Sequence, residues 1–331
     1  MITKRKNLSG TLAIVTILSL SLVSVILATL LSGSKWRDWL FPAFSQLILL
    51  ALLVLTSKIS AFNLLEEGNF KGKISFVGTL LTLGIGVSLF FFGLGASNIL
   101  LNALELAGYT VQSSMPVMNT TFSIILSIFA MCVMPAVCEE SMVRGGILPG
   151  VRRSLGTTKA IIFVALFFML MHGSLAQSVH QFMIGLFAGF LVISGKSLWY
   201  GVLLHFFNNF FVILGYLKTL DKNGIVIEME GSTASTFFAS SQTVITCIVM
   251  IIVGLVLACL FGYLFLRHRQ KSVGVEHQKG FKNLAKNVDL VSPMSDDGDI
   301  VENRQEKIFF WTATIIMALL VVFDFVSKVI K

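Results

Sequence analysis

Long runs of apolar residues, separated by short basic or turn-forming links, dominate the chain from end to end. A helix of about 20 apolar residues spans a bilayer's hydrocarbon core. Runs of that kind lie near 11–32, 40–57, 74–97, 121–147, 157–174, 178–194, 197–217, 242–266 and 308–327. The pattern predicts an all-α fold, a polytopic transmembrane helix bundle with about nine (roughly eight to nine) membrane helices. The alternative to a full set of crossings is a re-entrant piece, because the fifth and sixth runs are short and joined by only a small polar link. The chain divides into N-terminal helices over 1–120, a central segment over 121–217, and C-terminal helices over 218–331 that include a flexible cytoplasmic loop at 267–307.

Composition agrees with that division. The 331 residues are 55% hydrophobic and 13% charged, with a mean hydropathy of +0.86, outside the range of soluble globular domains. The net charge of +8 suggests nucleic acid until its placement is examined. With a cytoplasmic amino terminus, the outer segments hold only Lys35, Arg37, Lys218, Lys222, Lys328 and Lys331 of the 25 Lys and Arg. The rest fall inside, as the positive-inside rule requires. The charge is therefore a topology signal, the partner it implies is the lipid bilayer, and no nucleic acid is expected.

Lys4, Arg5 and Lys6 ahead of Thr11–Leu31 resemble the start of a secretory peptide. The run is too long for one and no small-residue cleavage site follows, so a retained first helix is expected. The 4 cysteines, Cys132, Cys138, Cys247 and Cys259, lie in apolar runs without a CxxC pair and read as small buried hydrophobes.

Against this background six polar residues stand out inside membrane-length runs: Glu139, Glu140, Arg144, His172, His205 and Asn209. A charge at the centre of a membrane helix costs roughly 2.5–3.5 kcal/mol even on lenient scales, so each is a functional-site hypothesis. Adjacent helical residues project about 100° apart, so Glu139 and Glu140 address different points. Glu140 and Arg144, spaced i to i+4, can neutralise each other and read as supporting residues. Glu139 has no such cation and is the candidate general base. His205 and Asn209 share a face, which Asn208 does not. His172 ends an apolar run just before Gly173. At about 1.5 Å per residue from the cytoplasmic helix ends, Glu139 and His205 lie roughly 12 Å deep, Asn209 about 18 Å and His172 about 22 Å. One shared site is feasible at those depths. Pro135, one turn before Glu139, is expected to kink its helix and free backbone carbonyls. His180 reads as an interhelical hydrogen-bonder, and His268 and His277 as solvated.

The order Glu139-Glu140-Ser-Met-Val-Arg144-Gly145, Phe168-Met-Leu-Met-His172, His205-Phe-Phe-Asn-Asn209 resembles the EExxxR, FxxxH and HxxxN motifs of the CPBP intramembrane proteases. This is the CAAX prenyl endopeptidase and bacteriocin-processing family, also called Abi. The resemblance covers about 121–215 and implies an intramembrane endopeptidase acting on a membrane-associated peptide or protein. By position it implies that Glu139 and His172 activate a water while His205 and Asn209 hold the oxyanion. It also implies a multi-pass protein of a bacterial plasma membrane. The family is commonly labelled a metalloprotease, and Glu139, His172 and His205 match the His2Glu ligand count of catalytic zinc. HExxH is absent, however, and every polar group has a role without a metal, so no cofactor is required, a divalent ion such as zinc being the alternative. Two other function classes compete: a non-catalytic immunity or scaffold membrane protein of the same family, and a proton-coupled transporter using the Glu and His residues as a relay. No broken-helix repeat of the transporter kind is present. No sequence feature specifies substrate or oligomeric state.

Overall fold

A computed structural model describes residues 7–34, 36–59, 63–109, 115–221, 234–280, 283–293 and 304–329. These residues form helices and connecting turns, with no β-strand among them. The long helices are α1 (Ser9–Leu30), α2 (Arg37–Ile59), α4 (Phe76–Leu106), α5 (Thr121–Leu155), α7 (Ser178–Gly195), α8 (Leu198–Leu217), α10 (Ser241–Val273) and α12 (Arg304–Val329). Shorter ones are α3 (Leu64–Glu67), α6 (Thr157–Met171), α9 (Ala234–Ala239) and α11 (Leu284–Val291). Among the described residues, 8 helices are long and apolar enough to cross a membrane, and α6 is a shorter apolar helix. A helix satisfies its backbone hydrogen bonds internally, and that makes it tolerable in lipid. Its ends need side chains: Ser75 accepts from the Gly78 N–H, Ser240 from Thr243, and Thr120 and Ser123 cap each other reciprocally.

The outward faces are apolar. Leu18 and Val25 on α1, Val256 on α10 and Phe323 on α12 are all exposed. In water such a surface would aggregate; facing lipid tails it carries no penalty. The chain is an integral, multi-pass membrane protein. α4 packs along α10, and α1 along α12, where Glu306 accepts from the backbone N–H (2.8 Å) and hydroxyl (2.6 Å) of Thr11. α6 and α7 form a hairpin that turns at His172–Gln177, and α2, α6 and α8 surround the middle of α5.

Part of the stretch 267–307, expected to be a flexible loop, is ordered. α10 runs on to Val273, and α11 docks with Val288 and Val291 in the main core. The reason lies in spacing: Val288 and Val291 fall on one helical face and are buried together with Asn287. Asn287 Oδ1 accepts from Gln270 Nε2 at 3.0 Å, and Arg152 at the end of α5 donates to Asp289 at 3.0 Å. Lys4, Arg5, Lys6, Lys35, Lys222, Lys331 and the acidic Asp296, Asp297 and Asp299 lie outside the described residues. His268 and His277, expected to be solvated, contact Ser75 Oγ (3.0 Å) and Gln270 Oε1 (2.9 Å). Among the cysteines, Cys132, Cys138 and Cys247 are buried as expected, while Cys259 is exposed on the outer face of α10.

Candidate active site

The site is built around an irregularity in α5. Its residues Phe129–Val133 and Ser141–Ile147 are wound as π-helix, and the α-helical turn between them, Met134–Glu140, carries both carboxylates. π-turns insert one extra residue into a helix and concentrate at functional sites. Pro135 explains part of the distortion. Lacking an N–H, it cannot bond to the carbonyl four residues earlier, that of Met131. Asn209 on α8 takes over, donating from Nδ2 to Met131 O at 3.0 Å. The carbonyl expected to be freed at this kink is thus held by a neighbouring helix.

Glu139 and Glu140 diverge. Glu139 Oε1 accepts from Gln46 Nε2 of α2 at 2.7 Å, while Oε2 has no hydrogen-bond partner among the described residues and faces His172 Nε2 at 3.8 Å. The His172 ring is oriented by its own helix. Its Nδ1 lies 2.8 Å from Phe168 O, a carbonyl left over at the end of α6. Because a carbonyl only accepts, Nδ1 carries the proton, and in the neutral ring it is the Nε2 lone pair that faces Glu139. Gly173 follows with φ of +62°, a backbone conformation that lets the chain leave the helix straight after the imidazole. This edge is where the site is accessible: the side chains of His172 and Glu139 remain 18% and 10% exposed.

Glu140 belongs to a second, sealed cluster. Its Oε1 accepts from Arg144 Nη1 at 2.9 Å and lies 3.1 Å from His205 Nδ1. Arg144 also donates through Nη2 to Gly185 O of α7 at 3.2 Å. The pair is removed from water and only partly satisfied, since Glu140 Oε2 and Arg144 Nε have no hydrogen-bond partner among the described residues. The Phe168 ring fills the centre: the Arg144 guanidinium lies 4.2 Å over its face, and its centroid is 4.7 Å from His172 and 5.6 Å from His205. Gly201, one turn before His205, keeps this packing possible, because a Cβ there would stand 2.9 Å from Glu140 Oε2 and 2.8 Å from Val192.

The structure therefore brings Glu139 together with His172, and Glu140 with Arg144 and His205. Asn209 stands one turn from His205, with one N–H on Met131 and its Oδ1 accepting from Asn208 at 3.1 Å. His180 on α7 faces Asn208 across the bundle. Sequence reasoning missed Gln46. The available signal was a single amide in the apolar run Leu40–Leu55, the same kind of observation that singled out Glu139.

A metal held by Glu139, His172 and His205 would need their donor atoms around one centre. Among the described residues no group of three His, Cys, Asp or Glu could hold a metal ion. The cause is local: His205 turns its Nδ1 to Glu140 rather than joining Glu139 and His172. The donor set does not fit the ion.

In comparison with known proteins, residues 121–211 match the family described as type II CAAX prenyl endopeptidase Rce1-like. No curated protein and no solved structure matches the chain.

Proposed function

We propose, from the match of residues 121–211 to the type II CAAX prenyl endopeptidase Rce1-like family, that this is a CPBP-family intramembrane endopeptidase cutting a membrane-associated peptide or protein. The observation that carries this reading is the paired, partly accessible Glu139 Oε2 and His172 Nε2, 3.8 Å apart. Both are acceptors. A water about 2.8 Å from each fits off the line between them, donating one hydrogen to either side. Its lone pair then points at a substrate carbonyl, and Glu139 takes the proton as the oxygen adds to carbon.

The tetrahedral oxyanion needs donors fixed in advance. His205 supplies one through Nε2 when the ring carries both protons, its Nδ1–H held by Glu140, whose carboxylate offsets the imidazolium charge. Asn209 supplies the N–H that Met131 does not use. Collapse breaks the C–N bond, and the proton held by Glu139 passes to the leaving amine. Arg144 pairs with Glu140 and holds it in place without touching substrate. No step passes through a metal.

In this reading the amino terminus faces the cytoplasm of a bacterial plasma membrane, since that orientation puts most Lys and Arg inside. Reporter fusions at Ser34 and Gly274 test it, with Gly274 expected inside and Ser34 outside. The central experiment compares membranes holding the wild type with those holding Glu139→Ala, His172→Ala or His205→Ala, with cleavage products mapped by mass spectrometry. Products confined to the wild type support the proposal. Wild-type turnover in a folded Glu139→Ala protein refutes it, and a phenotype that survives Glu139→Ala without cleavage favours an immunity or scaffold role.

A further inference from the structure

We infer that Gln46, on α2 and outside the segment matched to the family, is a positioning residue for the Glu139 carboxylate. The inference rests on the hydrolase reading for its kinetic consequences, but the bond itself does not depend on it. Gln46 Nε2 donates to Glu139 Oε1 at 2.7 Å, the short distance expected when the acceptor is ionised. Gln46 is itself buried, in a helix whose neighbouring residues are almost all apolar. A buried amide in such a helix is retained at a cost unless it is matched.

The bond has two effects. It engages one carboxylate oxygen, so that the other, Oε2, is the one turned to His172. It also fixes the rotation of the carboxylate, so that a general base is held in one orientation toward the water it would act on. The remaining groups around Glu139 cannot substitute. His172 faces it from the end of α6, and Cys138, Glu140 and Arg144 lie on its own helix. Arg144 is committed to Glu140 and the Gly185 carbonyl, and His205 of α8 is turned to Glu140. α2 meets the carboxylate with the neutral amide alone, so Gln46 is the neutral donor bonded directly to the base.

The test uses the full-length protein in lipid nanodiscs with two substitutions, Gln46→Met, which keeps length without a donor, and Gln46→Glu, which replaces the donor with a second carboxyl. The carboxylate stretching band of Glu139, assigned by its loss in Glu139→Gln, is compared among the wild type and the two variants at one pH. Its frequency should shift in Gln46→Met and in Gln46→Glu, because the hydrogen bond donated to Oε1 is gone. In parallel, kcat on a substrate identified from the membrane comparison should fall roughly tenfold to a hundredfold, the scale of one hydrogen bond to a charged group, with KM little changed.

An unmoved carboxylate band in a folded Gln46→Met protein overturns the inference, even if activity falls, because the band reads the bond to Glu139 directly. If one variant fails to fold, the other decides. A shifted band in a protein that cleaves nothing leaves the Gln46 bond standing and removes the hydrolase reading. Ordinary kcat and an unmoved band in both variants, with Glu139→Gln inactive, does the reverse.

Discussion

Asn209 donates to the carbonyl of Met131 at 3.0 Å, the carbonyl that Pro135 leaves without its helical partner. A side chain of α8 thereby completes the backbone of α5 beside the two carboxylates. Removing the amide leaves a buried acceptor unmade, costing about 1–3 kcal/mol. Asn209→Leu should destabilise the protein by that amount in thermal unfolding in detergent. Pro135→Ala restores the N–H that Met131 lacks, so the loss from Asn209→Leu should shrink to near zero in that background. Additive losses in the double-mutant cycle would show that the two residues are not coupled.

Glu140 and Arg144 form an ion pair whose side chains are fully buried. Removing one partner strands the other, at about 3–5 kcal/mol. Arg144→Met alone should therefore unfold far more readily than the double variant Glu140→Gln/Arg144→Met. The double variant is expected to regain much of the melting temperature yet remain inactive, since His205 loses the carboxylate that holds its Nδ1–H. Regained activity would remove Glu140 from the proposed chemistry.

Gly201→Ala places a methyl where Glu140 Oε2 and Val192 already lie within 2.9 Å. Overpacking of this kind costs about 1–3 kcal/mol. Loss of cleavage should exceed what the stability loss explains, because the methyl pushes on the carboxylate behind His205. Unchanged melting temperature and turnover would show that Glu140 has room to move.

At the other end of the bundle, Tyr109 donates to Asp324 Oδ2 at 2.7 Å, joining the end of α4 to α12. Burial, and then the nearby Asp324 carboxylate, raise the Tyr109 phenol above its ordinary 10.0. A group raised on folding contributes stability that is whole below its unfolded value and is lost as pH climbs through its folded one. Unfolding should therefore become easier above about pH 10 and hardly change on this account below it. Tyr109→Phe should cost about 1 kcal/mol near neutrality and abolish the alkaline component. Circular dichroism melts from pH 8 to 11 provide the comparison.

The membrane helices were legible because lipid demands long apolar runs, and the observed ends fall within several residues of those runs except where α4, α5 and α10 extend beyond them. The divergence of Glu139 from Glu140 was equally legible, since it follows from helical geometry alone. The role of Gln46 was not, because which distant helix lies against α5 is decided by packing. Nor was the commitment of Asn209 to Met131: proline announces an orphan carbonyl, but not which side chain will reach it. α11 went unseen because a short apolar spacing inside a polar stretch declares itself only once Arg152 and the core beneath it are in place.

The two π-turns of α5 fix its rotational phase. A residue deleted from either would turn everything beyond it by about 100°. Glu139 and Glu140 lie between these turns, Met131 and Arg144 within them and the ends of the rod outside, so such a deletion would disturb Asn209's hold on Met131, the buried ion pair or the alignment with His172, leaving hydropathy untouched. Chains of the same length and oiliness that lack the extra residues would still enter a bilayer, but with their acidic groups swung away from the imidazoles.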